Sequence, residues 1–228
     1  MYFDSTIYLL IPAIILAFYA QFKVRSSYGK YAGVSNRRGM TGYETARRIL
    51  DANGLQNIKI EKVPGELTDH YDPRSGVVRL SDGIYGGRSV ASVSVAAHEI
   101  GHAIQHATGY RALIVRNSLV PVVNIASNLA WPLAIIGLLM GSLAGTRIFD
   151  IAIILYAAAV LFQLITLPVE LNASRRALQQ LDSLGIVTEA EEQRQARKML
   201  GAAALTYVAA AAVAVVNLLR LFMLRNNE

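Results

Sequence analysis

Residues 95–106 read "VAAHEIGHAIQH" and carry three of the four histidines in a chain of 228 residues. Within them His98, Glu99 and His102 form the pattern H-E-x-x-H. That spacing has meaning on a helix, where residues four apart share one face about 6 Å apart along the axis. Both imidazoles then reach a single tetrahedral ion. Glu99 projects beside such an ion, where its carboxylate acts on bound water without being a ligand. The competing reading is a structural helix that merely carries histidines. Local sequence favours the site: no proline interrupts the run, and Ala96, Ala97, Gly101 and Ala103 leave room around the ligands. The helix is expected from about Ser89 to Ala107, ending near Gly109.

His106 extends the same face by one more turn. An unbroken helix puts it about 12 Å from His98 along the axis, beyond sharing one ion at about 2.1 Å. It is expected beside the ligands or towards solvent. The chain contains no cysteine, so any metal must be held by histidine and carboxylate, and a third ligand has to come from elsewhere.

Moving outward, the chain is 54% hydrophobic with 17% charged residues, and the charges are bunched between apolar runs. Four stretches suffice to cross a hydrocarbon core of about 30 Å, near Ile7–Phe22, Leu119–Ala144, Ile148–Val169 and Leu200–Leu224. The first lacks a basic start and a small-residue cleavage site, and reads as a retained anchor. The second holds Pro121, Pro132, Asn124, Ser127 and Asn128, and is expected to kink or to line a site. "GTRIFD" (145–150) reads as the turn of a hairpin between the second and third spans.

Two polar regions remain, Lys23–Ser118 and Glu170–Met199. An even number of crossings separates them, so they share one side of the membrane. They hold fourteen and five basic residues, against none in the first eight residues and one in the hairpin turn. The positive-inside rule places both regions in the cytoplasm. The net charge of +6 follows from the same asymmetry, and no basic-aromatic or zinc-finger pattern speaks for nucleic acid.

Within the first region, "TGYETARRILDANGL" (41–55) is a helix with a Thr41/Glu44 capping box, closing on Gly54. "NIKIEKV", "ELTDHYD" and "GVVRLS" follow as about three short strands between Pro-Gly and Pro-Arg-Ser-Gly turns. His70 sits between strands, as polar surface or as an oxyanion donor beside a cleft, and Tyr71, Asp72 and Arg74 share that choice. In the second region, "TEAE" (188–191) reads as a capping box opening a helix into the last span. Glu170 stands where the third span ends. From position alone it is either the third metal ligand or a favourable partner of a helix N-terminus.

Taken in order, the N-terminal anchor, "TGYETARRILDANGL", "LTDHYDPRSGVVRLS", "VAAHEIGHAIQH" and "LPVELNASRRAL" after a hairpin resemble the YugP-like family of membrane neutral zinc metallopeptidases, and more distantly the HtpX-type membrane proteases. In HtpX-type enzymes the third ligand is the glutamate of E-x-x-A-D-R on a helix after a membrane hairpin. "ELNASR" (170–175) matches it except for Ser174 in place of aspartate. The resemblance therefore implies Glu170 as third ligand, with the aspartate's supporting role passing to Asn172, Arg175 or another residue. It also implies a gluzincin-like edge strand above the active helix that pairs with extended substrate, for which "GVVRLS" is the similar element.

The expected protein is a mainly α integral membrane protein, with about four transmembrane helices and a small α+β zincin-like protease domain. Its parts are an N-terminal anchor (1–23), a protease domain (24–118), a transmembrane hairpin (119–169), a helical segment completing the metal site (170–199) and a last span (200–228). One Zn2+ held by His98, His102 and Glu170, with Glu99 as general base, would cleave membrane proteins or polypeptides near the lipid bilayer of a bacterial-type cell membrane. The alternative is a non-catalytic membrane scaffold with a structural zinc site. Glu99 weighs against it, since a structural site has no use for that carboxylate.

Overall fold

The structure is a computed structural model that describes residues 5–140 and 142–226. A 3-10 turn (Ser5–Leu9) leads into α1 (Leu10–Ala32), followed by α2 (Gly42–Ala52), β1 (Lys59–Val63), β2 (His70–Asp72) and β3 (Val77–Ser81). A single turn, α3 (Asp82–Tyr85), precedes α4 (Val90–Ala107), α5 (Arg111–Met140), α6 (Leu143–Ser183) and α7 (Ala190–Asn226). Four helices are long and apolar enough to cross a membrane: Thr6–Ala32, α5, α6 and α7. The protein is thus a mainly α membrane protein with a small α+β part.

The spanning helices overrun the apolar stretches that mark them. A bilayer core takes about 20 helical residues, whereas α6 has 41 and α7 has 37. The segment boundaries expected at 23/24, 118/119, 169/170 and 199/200 all fall inside continuous helices. Hydropathy marks where a helix changes solvent, while its backbone ladder continues across that level. "GTRIFD" is likewise not the hairpin turn. α6 already starts at Leu143, where the Ser142 hydroxyl accepts the Gly145 N–H at 3.3 Å. Close packing of α5 on α6 depends on small residues: a Cβ at Gly137 would lie 2.7 Å from the Phe149 nitrogen, and one at Gly145 2.6 Å from the Gly137 oxygen. α5 runs helically through Pro121 and Pro132, and Asn124, Ser127 and Asn128 lie exposed on its outer face rather than lining a site.

In the polar part, Thr41 and Glu44 close a reciprocal capping box at the start of α2, with bonds of 3.1 and 2.7 Å. The three strands form a sheet of order β1-β3-β2, with β1 parallel and β2 antiparallel to β3. "GVVRLS" is therefore the central strand, paired on both sides, and not the edge strand implied by the resemblance. Its burial explains the position: Val77, Val78, Leu80 and Ser81 are all covered, as a strand between two partners requires. β2 is an edge strand and lies against α4.

One apolar core joins both chain segments. It holds Ile49 and Leu50 of α2, Val78 and Leu80 of β3, Val93 and Ile100 of α4, Leu181 of α6 and Leu200 of α7. Each such side chain contributes about 1.5–3 kcal/mol on burial, so the protruding ends of α6 and α7 are structural parts of the polar domain. At the start of α7 the acid that reaches back to the Thr188 N–H is Glu192, at 3.4 Å, not Glu191. Glu192 also accepts the Arg37 N–H at 2.6 Å, which ties the two segments, while Glu191 pairs with Arg194 at 3.1 Å.

Candidate metal centre and its cleft

Ser89 caps α4, its hydroxyl accepting the Ser92 N–H at 3.0 Å, and the helix then runs unbroken to Ala107. His98 and His102 stand on the face turned to α6, with Gly101 between them. A Cβ at Gly101 would lie 2.5 Å from the backbone oxygen of Ala173, so glycine lets α6 press against α4 one turn from Glu170. That approach brings Glu170 Oε2 to 3.3 Å from His98 Nε2 and 3.4 Å from His102 Nε2. Glu170 lies deep inside α6, which leaves no helix N-terminus for it to serve.

These residues fit a metal. The ligand atoms of His98, His102 and Glu170 all lie within 4.8 Å of one another. Glu170 Oε2 is buried and has no hydrogen-bond partner, a costly state for a carboxylate oxygen unless a cation completes it. Two imidazoles and one carboxylate form a donor set suited to zinc, with one position left open. Without metal, burial disfavours the His102 imidazolium, but the Glu170 carboxylate outweighs it and raises the pKa.

The outer nitrogens of both rings are held. Gln105 Oε1 lies 3.0 Å from His102 Nδ1, and since a carbonyl oxygen accepts, Nδ1 carries the hydrogen and Nε2 keeps its lone pair for the metal. Gln105 is fully buried and oriented by its own amide, which donates to Val169 O at 2.7 Å and Asn172 Oδ1 at 3.0 Å. Asn172 thus reaches His102 through Gln105, and also accepts from Arg176 Nε at 2.9 Å. Ser174 Oγ lies 3.2 Å from His98 Nδ1. Arg175 is not among the residues lining the metal cleft and instead lines a separate groove of about 590 Å³ between α6 and α7.

A cleft of about 220 Å³ opens over the trio. Glu99 borders it with little exposure, and burial pushes its carboxyl up, opposed by His98 and His102. Asp69, His70 and Tyr71 line the cleft from the β2 side. His70 is itself exposed, with Nδ1 2.8 Å from Thr68 O. His106 is exposed and outside the metal trio; its Nδ1 lies 2.8 Å from the Tyr71 hydroxyl. Asp72 accepts from the Arg74 N–H at 2.9 Å in the following turn, and neither residue lines the cleft.

The remaining wall comes from the spanning helices: Leu113, Arg116 and Asn117 of α5, and Tyr207 of α7, which lines the cleft with Glu170. None of these was singled out from sequence, nor was Gln105. Two signals were legible: Gln105 follows His102 by three residues on one helical face, and Tyr207 is a polar group in an alanine-rich span.

Fold and site together define a membrane-spanning protein whose polar domain carries a metal-competent H-E-x-x-H helix. The chain belongs to the family described as "Putative neutral zinc metallopeptidase", whose model matches residues 6–226. It is 54% identical over 218 residues to the Bacillus subtilis (strain 168) protein named "Putative membrane protease YugP", covering 96% of this chain and 95% of that one. No solved structure matches it significantly.

Proposed function

We propose that the chain is a zinc metalloendopeptidase that hydrolyses peptide bonds of membrane proteins, or of polypeptides presented at the membrane surface, from the cytoplasmic side. The observation that carries this reading is the buried, unpartnered Oε2 of Glu170 facing both Nε2 atoms. His98, His102 and Glu170 would hold the ion. When bound, zinc supplies Lewis acidity and makes water acidic near neutral pH.

Glu99, adjacent to the first ligand and bordering the cleft, takes the proton of the attacking water and passes it to the leaving amine. Burial shifts the Glu99 pKa upward, the direction that favours a carboxyl that both takes and returns a proton. Gln105 and Ser174 keep the two imidazoles in orientation. His70 and Tyr207, both on the cleft wall, are the donors available to the developing oxyanion. The free sheet edge beside the cleft is that of β2, and an extended substrate would pair there. The cleft is walled by α5, α6 and α7, which themselves span the bilayer, so substrates are those that come near it.

The test compares the detergent-solubilised chain with its Glu99→Gln variant on an unstructured protein. The reading predicts that the variant keeps its zinc and loses cleavage by about 100-fold or more. Cleavage at the parent rate by Glu99→Gln would overturn it.

A further inference from the structure

Arg116 lies near the polar end of α5 and lines the same cleft as the metal trio. Its Nε is buried and has no hydrogen-bond partner. The guanidinium rests 5.9 Å from the Phe162 ring of α6, and the hydrogen bond it makes among the described residues is a long one, 3.5 Å to Asn117 Oδ1. Among the described residues no carboxylate pairs with it. A guanidinium nitrogen buried without a partner is costly, and such groups normally pair with another group or serve a ligand. Among the described residues no such pairing group is present.

From this we infer that Arg116, with Asn117 beside it, forms a subsite for a carboxylate of the polypeptide substrate. The inference rests on the peptidase reading and assigns that site its substrate preference. Guanidinium is suited to the role, since its planar fork of donors matches a carboxylate in bidentate fashion. Arg116 lines the same cleft as the metal trio without being one of its three candidate ligands, so it acts as a specificity residue that binds substrate beside the reacting centre. The carboxylate has two sources, the free C-terminus of the chain being cleaved or an aspartate or glutamate side chain within it.

The test uses one neutral unstructured peptide in three fluorescent versions: free C-terminal acid, C-terminal amide, and the amide with one internal glutamate. Binding is read by anisotropy on the full-length, zinc-loaded chain carrying Glu99→Gln, which keeps the peptide intact. A carboxylate-bearing version should bind at least about tenfold tighter than the neutral amide, and whichever does so identifies the source. Arg116→Gln should bring all three versions to similar affinity, while Arg116→Lys retains part of the preference. Equal binding of the three versions with Arg116 in place, or a preference that survives Arg116→Gln, would overturn the inference. Cleavage by the chain with Glu99 intact separates the two readings. Zinc-dependent cleavage without carboxylate preference removes the subsite alone, whereas carboxylate preference without cleavage removes the peptidase and leaves the subsite.

Discussion

Ser174 Oγ lies 3.2 Å from Nδ1 of His98, while the other nitrogen of that ring faces Glu170 at 3.3 Å. The serine hydroxyl thus occupies the place that the resembling E-x-x-A-D-R pattern gives to aspartate. It orients the ring through a neutral acceptor, which raises ligand basicity less than a carboxylate does. Ser174→Ala should lower zinc affinity by roughly 10–100-fold without unfolding the protein, and Ser174→Asp should restore it. Competition with a chromophoric zinc chelator measures both.

Gln105 ties His102 of its own helix to Val169 and Asn172 of α6. Gln105→Leu keeps the volume but leaves His102 Nδ1 and the Val169 carbonyl without this partner. A stability loss of about 1–3 kcal/mol is expected, together with weaker zinc binding. Gln105→Glu, which still accepts from Nδ1, should bind zinc more tightly than Gln105→Leu. Thermal unfolding with and without added zinc separates the two effects.

Gly101 sets the distance between α4 and α6. On helix propensity alone Gly101→Ala would stabilise by about 1 kcal/mol. The Cβ would meet the Ala173 oxygen at 2.5 Å, however, and backbone cannot swing aside as a side chain does. The variant should lose about 1–3 kcal/mol and bind zinc more weakly, because α6 carries Glu170 away from both histidines. An unchanged zinc affinity would show that helix spacing does not set the site.

Much of this arrangement is legible in the sequence alone. H-E-x-x-H on one helical face is local information, and so are the four apolar stretches and the Thr41/Glu44 box. Glu170 was legible as a candidate from its position after a span, but choosing between ligand and helix-terminus partner required knowing that α6 does not end there. Continuity of α1, α5, α6 and α7 was not legible, since hydropathy reports the solvent around a helix and not the bonds along it. Nor was the centrality of β3, because strand order depends on partners far along the chain. Ser174 and Gln105 escaped as imidazole partners for a related reason. Serine and glutamine carry no charge signal, and one of the two contacts links residues 76 positions apart.

Glu44 gives a pH-dependent test of the polar domain. Its carboxylate accepts the Thr41 N–H, which holds its pKa below the usual carboxylate range. The folded pKa thus lies below the unfolded value of about 4.3. Stabilisation from the charged form is fully present above that value and is lost as pH falls through the lower folded pKa. Glu44→Ala should lower the unfolding midpoint at pH 7, and the gap to the parent should narrow near pH 3. Thr41→Ala, which removes the other half of the box, should cost about 1 kcal/mol.

The most direct test is the zinc content of the purified full-length chain and of Glu170→Ala, measured by plasma mass spectrometry after dialysis against a weak chelator. One ion per parent chain, and a large loss from a variant that still folds, is the result expected if Glu170 closes the site with His98 and His102. A Glu170→Ala protein that held zinc as fully and as tightly as the parent would contradict it.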